Sequence, residues 1–293
     1  MIYGEGVLPV HSKLNAIKGD IRDQDLLMKT IPGHDVVIHL ACISNDPSFE
    51  LNPKLGKEIN FDSFKPLVLA AKESGIKHFI YASSSSVYGI KDTDNVTEDS
   101  SLEPLTDYSK FKAQCEEILL SNTNNDFLGS VIRPATVCGY SPRQRLDLVV
   151  NILTNHAYHN KEIKVFGGNQ LRPNIHINDM VNCYLNILEA DEKKINGQIF
   201  NVGFKNQSVD ELANDVKNVI GEDVRITKTK TNDNRSYHVS SEKIFNILGF
   251  KPIHTVKDAV QDLKKAFELG LLKNTFLDEN YFNIKRMQSI NLK

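Results

Sequence analysis

Two short runs, Asp35 to Ala41 and His78 to Ser83, are apolar at nearly every position rather than at every second one. Such runs belong to strands buried on both faces, the pattern of a parallel sheet covered by helices. Further strand candidates at 129–137, 163–167, 175–177 and 198–203 alternate with helix candidates. Those helices fall at about 23–31, 58–74, 107–121, 145–158, 179–189, 209–220, 240–248 and 256–269. Strands alternating with helices predict an α/β fold, a parallel sheet flanked by helices. Pro66 interrupts the pattern between Asn60 and Ser74, so it kinks that helix or marks its start. Asp107 is the expected N-cap of the helix that follows it, with Thr106 as the alternative.

The chemistry concentrates in that helix. Tyr108 and Lys112 stand four apart, hence on one helical face. A neighbouring ammonium favours the phenolate and moves a tyrosine from about pH 10 toward neutrality, where a general base works best. Ser84 follows directly after the strand of Tyr81 and offers a second hydroxyl for the same substrate oxygen. Alone, a Tyr-x-x-x-Lys spacing is common and fits a solvated helix face, and a serine-rich run fits a turn.

In company with other segments these residues resemble one family. The segments are Gly19-Asp20-Ile21-Arg22-Asp23, Val37-Ile38-His39-Leu40-Ala41, Tyr81 to Gly89, Tyr108 to Lys112, Arg133-Pro134-Ala135-Thr136-Val137-Cys138-Gly139, Leu171 to Asp179 and Phe200-Asn201-Val202-Gly203. Their order over nearly the whole chain resembles an extended short-chain dehydrogenase/reductase of the nucleotide-sugar epimerase/dehydratase group. The resemblance implies a Rossmann-like dinucleotide domain with a doubly wound parallel sheet, expected at 1–138 plus 175–203, and a smaller α+β substrate lobe at 139–174 plus 204–293. Ligands of such open sheets bind in the crevice at the carboxyl ends of the strands.

The family opens with a strand, a glycine-rich turn and a helix that receives the dinucleotide pyrophosphate. Met1-Ile2-Tyr3-Gly4-Glu5-Gly6 instead resembles the loop after the second strand. The expectation is a chain lacking its first strand-helix-strand unit, roughly 30 residues. That absence would leave the strands of 35–41 and 78–83 without a neighbour between them, an apolar edge prone to aggregation. A chain so truncated is expected to bind its cofactor poorly.

The resemblance assigns roles. Catalytic residues are Ser84, Tyr108 and Lys112. NAD is the implied cofactor, held by Asp20, Ile21, Leu40, Ala41, Ser83, Tyr108, Lys112 and Pro134. Asp20 would accept from the adenine amino group, or else cap the following helix. The substrate, a nucleotide-diphosphate sugar, is assigned to Ser84, Thr136, Arg143, Arg172 and Arg235, with Arg145 in the same loop as Arg143. Guanidinium groups suit phosphates because they pair with two oxygens at once. The 4,6-dehydratases of the group carry an Asp-Glu pair after the hydroxyl residue, and here Ser85 and Ser86 stand instead. The expected activity is therefore C4 epimerisation, with a 4-reductase or dehydrogenase, or an inactive binding or sensor protein, as alternatives.

Composition bounds the rest. The 293 residues carry a net charge of −2, which argues against nucleic acid or an anionic membrane as partner. No uncharged apolar run approaches the ~18 residues of a membrane span. Four cysteines without a Cys-x-x-Cys pair fit buried thiols in a reducing cytoplasm, and the histidines show no metal-ligand spacing. His39 and His176 are expected to be packed in strands. A homodimer through the helices around 58–74 and 107–121 is expected by resemblance.

Overall fold

The computed structural model describes residues 7–91, 95–231, 236 and 238–292. In chain order its elements are α1 (Gln24–Thr30), β1 (Val36–His39), α2 (Asp46–Glu50), α3 (Pro53–Lys57), a π-helical turn (Glu58–Asp62), α4 (Phe64–Glu73) and β2 (His78–Ala82). After a 3₁₀ turn (Ser85–Tyr88) come α5 (Asp107–Asn122), β3 (Leu128–Pro134), β4 (Thr136–Cys138), α6 (Val149–Asn160), β5 (Glu162–Phe166), β6 (Leu171–His176), α7 (Ile177–Glu189) and α8 (Glu192–Ile195). The chain closes with β7 (Gln198–Val202), β8 (Lys205–Ser208), α9 (Val209–Ile220), β9 (Arg225–Thr229), α10 (Glu242–Leu248), α11 (Val256–Glu268) and α12 (Asn283–Ser289).

Four parallel strands make the main sheet, in the order β1-β2-β3-β7. Residues alternate between its faces. Phe79, Tyr81 and Val131 pack with Phe64, Leu67 and Leu119 from α4 and α5 on one side. Ile80, Ile132, Phe200 and Val202 pack with Met180, Cys183 and Ile187 of α7 on the other. Both faces are thus covered by helices, the doubly wound α/β arrangement expected from the apolar runs. A second apolar cluster joins β5, α6, α9 and α11 through Val150, Leu153, Ile163, Leu212, Val216 and Val260.

The structure corrects one expectation about the sheet. β1 and β2 pair directly, Val36 opposite His78 through His39 opposite Tyr81, so no strand belongs between them. The apolar edge lies on the far side of β1. There Ile38 is 39% and Leu40 57% exposed.

The single strand expected at 129–137 is two. β3 ends at Pro134 in register with Val202 of the main sheet. β4 then diverges to pair with β6, forming a three-stranded sheet in the order β4-β6-β8. The fork at Ala135, whose N–H donates to Val202 O (2.8 Å), opens the floor of a cavity. The strand expected at 175–177 is the end of the longer β6, and its helix begins at Ile177. The helix expected from 145 begins only at Val149, because Leu148 is still extended. Pro66 sits in the first turn of α4, after the π-helical turn, and so marks a start. Polar alternation hid β8 and β9. Thr106 caps α5 by accepting from Ser109 N, which corrects the choice of Asp107.

His39 and His176 are buried, as expected. Burial, with the Lys112 ammonium nearby, pushes His39 down to about 3, and its ring lies 5.8 Å from that of Tyr81. A depressed folded value makes its contribution complete above the ordinary 6.5 and progressively lost as pH falls toward 3. The wild type should therefore lose about 1.4 kcal/mol per pH unit below 6.5 relative to His39→Leu. Urea midpoints of both proteins at pH 7 and pH 5 measure it, and parallel losses would refute it.

Candidate active site

β2 ends at Ala82, and the chain turns sharply through Ser83 to Gly89. Ser84 is extended and its hydroxyl accepts from Ser86 N (3.2 Å), which starts the 3₁₀ turn. The turn closes at Gly89 (φ +67°), where a Cβ would come within 2.0 Å of Glu103 O, so only glycine fits. This geometry presents consecutive serines at the carboxyl end of the sheet.

A cavity of about 400 Å³ lies there. Its lining includes Ser83, Ser84, Tyr108, Pro134, Thr136 and Arg143 from the expected set. Lys112 is buried beneath, its ammonium donating to Ala82 O (2.6 Å) and lying 5.8 Å from the Tyr108 ring. The three expected catalytic side chains are therefore brought together. Leu40 and Ala41 follow β1, exposed and outside the cavity lining. Asp20 and Ile21 lie farther off, before α1. The Asp20 carboxylate pairs with Arg22 (2.7 Å), and the cap of α1 is Asp23, so the capping alternative for Asp20 fails. Arg172, on β6, donates to Leu171 O and does not line the cavity. Arg235 falls outside the described residues.

The electrostatics of Tyr108 differ from expectation. Burial dominates and raises its phenol well above 10, with Cys42 and Asp46 adding to the rise. Against these act the Arg145 guanidinium and a hydrogen bond with Ser84, not chiefly Lys112. Arg145 bonds Asp147 Oδ1 (2.8 Å) and Ser44 Oγ (3.2 Å), while its Nη2 is buried with no partner among the described residues. Arg143 lies beside it, donating to Asn283 Oδ1 (2.8 Å). Burial and the Arg145 charge push Arg143 down to about 9. Two partly buried guanidiniums at one cavity wall make a strong demand for an anion.

Sequence reasoning assigned no role to several side chains here. Ser44, Asn45 and Asp46 reach the cavity from the loop after β1, and Gln144 and Asn151 from around α6. Their signal was nearness to strand carboxyl ends. Glu116 was also missed, although it repeats the four-residue spacing of Tyr108 and Lys112. It pairs with Arg133 of β3 (Nη2 to Oε2, 2.6 Å), each side chain 3% exposed. The Ser83 hydroxyl donates to the same carboxylate. Arg133 also donates to the Tyr88 hydroxyl (2.7 Å), which donates to Asn201 Oδ1 (2.7 Å) on β7. Burial opposes the Arg133 charge, yet Glu116 more than offsets it and holds the guanidinium protonated.

Residues 6–203 match the NAD dependent epimerase/dehydratase family. The chain is 26% identical over 272 residues to a UDP-glucose 4-epimerase of Lactobacillus helveticus, covering 86% of this chain and 82% of that protein. It is 30% identical over 266 residues to a dTDP-D-glucose 4,6-dehydratase of Mus musculus, covering 83% and 72%. Among solved structures, a UDP-glucuronic acid 4-epimerase from Bacillus cereus, in complex with UDP-glucuronic acid and NAD, superposes with a TM-score of 0.79. The two are 26% identical, over 89% of this chain and 83% of that one. The chain belongs to the NAD dependent epimerase/dehydratase family, and so to a group of NAD-dependent enzymes.

Removing one partner of the Glu116–Arg133 pair leaves the other charge buried alone. Glu116→Ala should lower unfolding free energy by about 3–5 kcal/mol, read from denaturant midpoints. A loss below about 1 kcal/mol, the range of exposed pairs, would show the network to be unimportant.

Proposed function

We propose that this chain is a C4 epimerase of a nucleotide-diphosphate sugar, using NAD as a hydride store that is returned unchanged. The supporting observation is the meeting of Ser84 and Tyr108 at one cavity whose wall carries Arg143 and Arg145. Relatives named for UDP-glucose, UDP-glucuronic acid and dTDP-glucose point to the same substrate class. Tyr108 takes the proton of the sugar 4-hydroxyl, and Ser84 binds the oxygen left behind. Thr136 and the two arginines face the substrate phosphates and sugar, with Arg172 and Arg235 as further phosphate ligands.

In this reading, residues in and beside the cavity hold NAD. Ser83, Tyr108 and Pro134 line the cavity, Lys112 donates to Ala82 O, and exposed Leu40 and Ala41 follow β1. Asp20 and Ile21 would flank the adenine, at the cost of the exposed Asp20–Arg22 pair. NAD, when bound, supplies a hydride acceptor and, in oxidised form, a positive charge. A chain that leaves Tyr108 raised has a physical need for that charge. The dinucleotide domain at 1–138 plus 175–203, the substrate lobe and a homodimer through α4 and α5 belong to the same reading.

Epimerisation is preferred to dehydration because Ser85 and Ser86 also line the cavity and carry no carboxylate. The acidic side chain in the lining, Asp46, accepts from the Thr106 hydroxyl (2.6 Å). Incubating the protein with NAD and UDP-glucose, UDP-galactose or UDP-glucuronic acid should interconvert C4 epimers with catalytic NAD. Stoichiometric NADH formation would indicate a dehydrogenase instead, and a 4-keto-6-deoxy product would overturn the assignment. Tyr108→Phe should lower kcat by about 10²–10⁴-fold.

Arg145 gives a pH test. Its cation favours the phenolate, so Arg145→Gln raises Tyr108 further. A base works only when deprotonated, hence the rising limb of the kcat profile should move to higher pH in the variant. An unmoved limb would remove Arg145 from the electrostatics of the base.

A further inference from the structure

Four hydroxyls run in file from the cavity to the carboxylate at the start of α2. The Thr106 hydroxyl donates to Asp46 Oδ1 (2.6 Å), and Thr106 Oγ1 receives Ser109 N–H (3.3 Å). Ser109, 2% exposed, lies with its Oγ 3.1 Å from that of Thr106 and donates to Ser86 Oγ (2.8 Å). Ser86 and Ser84 share a hydrogen bond of 2.9 Å.

A hydroxyl has one proton and two acceptor sites, and the row is consistent with every proton running the same way. Thr106 gives its proton to Asp46, a charge-assisted bond and the shorter of its two contacts. Ser109 gives its own to Ser86. With the row running one way, Ser86 gives its proton to Ser84; the 2.9 Å contact fits either hydroxyl as donor. Ser84 accepts a second bond from Ser86 N (3.2 Å). In that direction the Ser84 oxygen accepts twice, and its own proton is left for Tyr108 and the cavity.

We propose that Ser86 and Ser109 are positioning residues that hold the Ser84 hydroxyl as a proton donor toward the oxygen at the reacting sugar carbon. The inference rests on the epimerase reading and extends it to residues that do not carry the proton abstraction. A donor at this oxygen matters most when the carbon is a ketone and the oxygen takes back negative charge during hydride return. Bonds in a row also polarise one another, so the outermost donor is strengthened by those behind it.

A double-mutant cycle tests it. The wild type is first shown to interconvert UDP-glucose and UDP-galactose, or UDP-glucuronic acid and its C4 epimer, with catalytic NAD. An inactive wild type overturns the reading of the enzyme itself, and the positioning role with it. In an active wild type, Ser109→Ala should lower kcat about tenfold, the worth of one hydrogen bond, with KM changed by less than about twofold. In a Ser84→Ala background the same change should cost less than about twofold, because its effect passes through Ser84. Ser109→Thr, which keeps the hydroxyl, should restore kcat. Ser86→Ala supplies the same cycle should Ser109→Ala not fold. Equal losses on both backgrounds, or a raised KM with unchanged kcat, would overturn the role.

Discussion

The buried Arg133–Glu116 pair fixes the geometry on which the site depends. It ties the middle of α5 to the end of β3, and its side bonds draw in Ser83 after β2 and, through Tyr88, Asn201 on β7. Three strand ends and one helix are thereby held in one register. Tyr108, Lys112 and Glu116 recur every four residues, so they share a stripe of α5. Anchoring Glu116 on the sheet therefore aims Lys112 at Ala82 O and Tyr108 at the cavity. Two charges out of water are a poor source of net stability compared with apolar packing. What the pair supplies is placement, because a guanidinium engaging both carboxylate oxygens accepts few orientations.

Placement explains why Tyr108 is so strongly raised in the protein alone. A phenol held against the sheet loses its water, and burial outweighs the nearby cations. Arg145 is the charge that most opposes this, and it belongs to a different segment from the Tyr-x-x-x-Lys unit. The base is thus set by the meeting of α5, the loop after β1 and the loop before α6. On the proposed reading, a phenol that stays protonated until a cationic ring arrives cannot act as a base without its cofactor.

Much of this was legible in the chain. The near-continuous apolar run marked β2 as a doubly covered strand, because burial on both faces leaves few polar positions, whereas β1 at the sheet edge leaves Ile38 exposed. The i, i+4 spacing brought Tyr108 to Lys112, since helix geometry is local. The misses came from non-local causes. Direct pairing of β1 with β2 depends on sheet order, which no residue in either strand encodes. The fork at Ala135 was invisible because β3 and β4 read as one apolar run, and only pairing with β7 and then β6 divides them. Asp46 and Arg145 reach the cavity by tertiary folding, and neither has a spacing that announces it. Thr106 and Asp107 are both good caps in sequence. The structure selects Thr106 because its hydroxyl is extended at the helix entrance and can also serve Asp46.

On the proposed reading, serines at 85 and 86 do more than leave out a carboxylate pair. An acid and base beside a 4-keto sugar would open an elimination route from the intermediate. On the proposed reading, Ser85 and Ser86 have hydroxyls that neither donate nor accept protons readily near neutral pH, and they offer no such route. Ser86 has instead a fixed place between Ser84 and Ser109. A hydroxyl locked by two neighbours resists the reorientation that solvent would need to make when charge moves on the sugar oxygen. On this view the serine run favours a reversible oxidation at one carbon twice over, by withholding the groups that would divert the ketone and by steadying the donor that returns it to the alcohol.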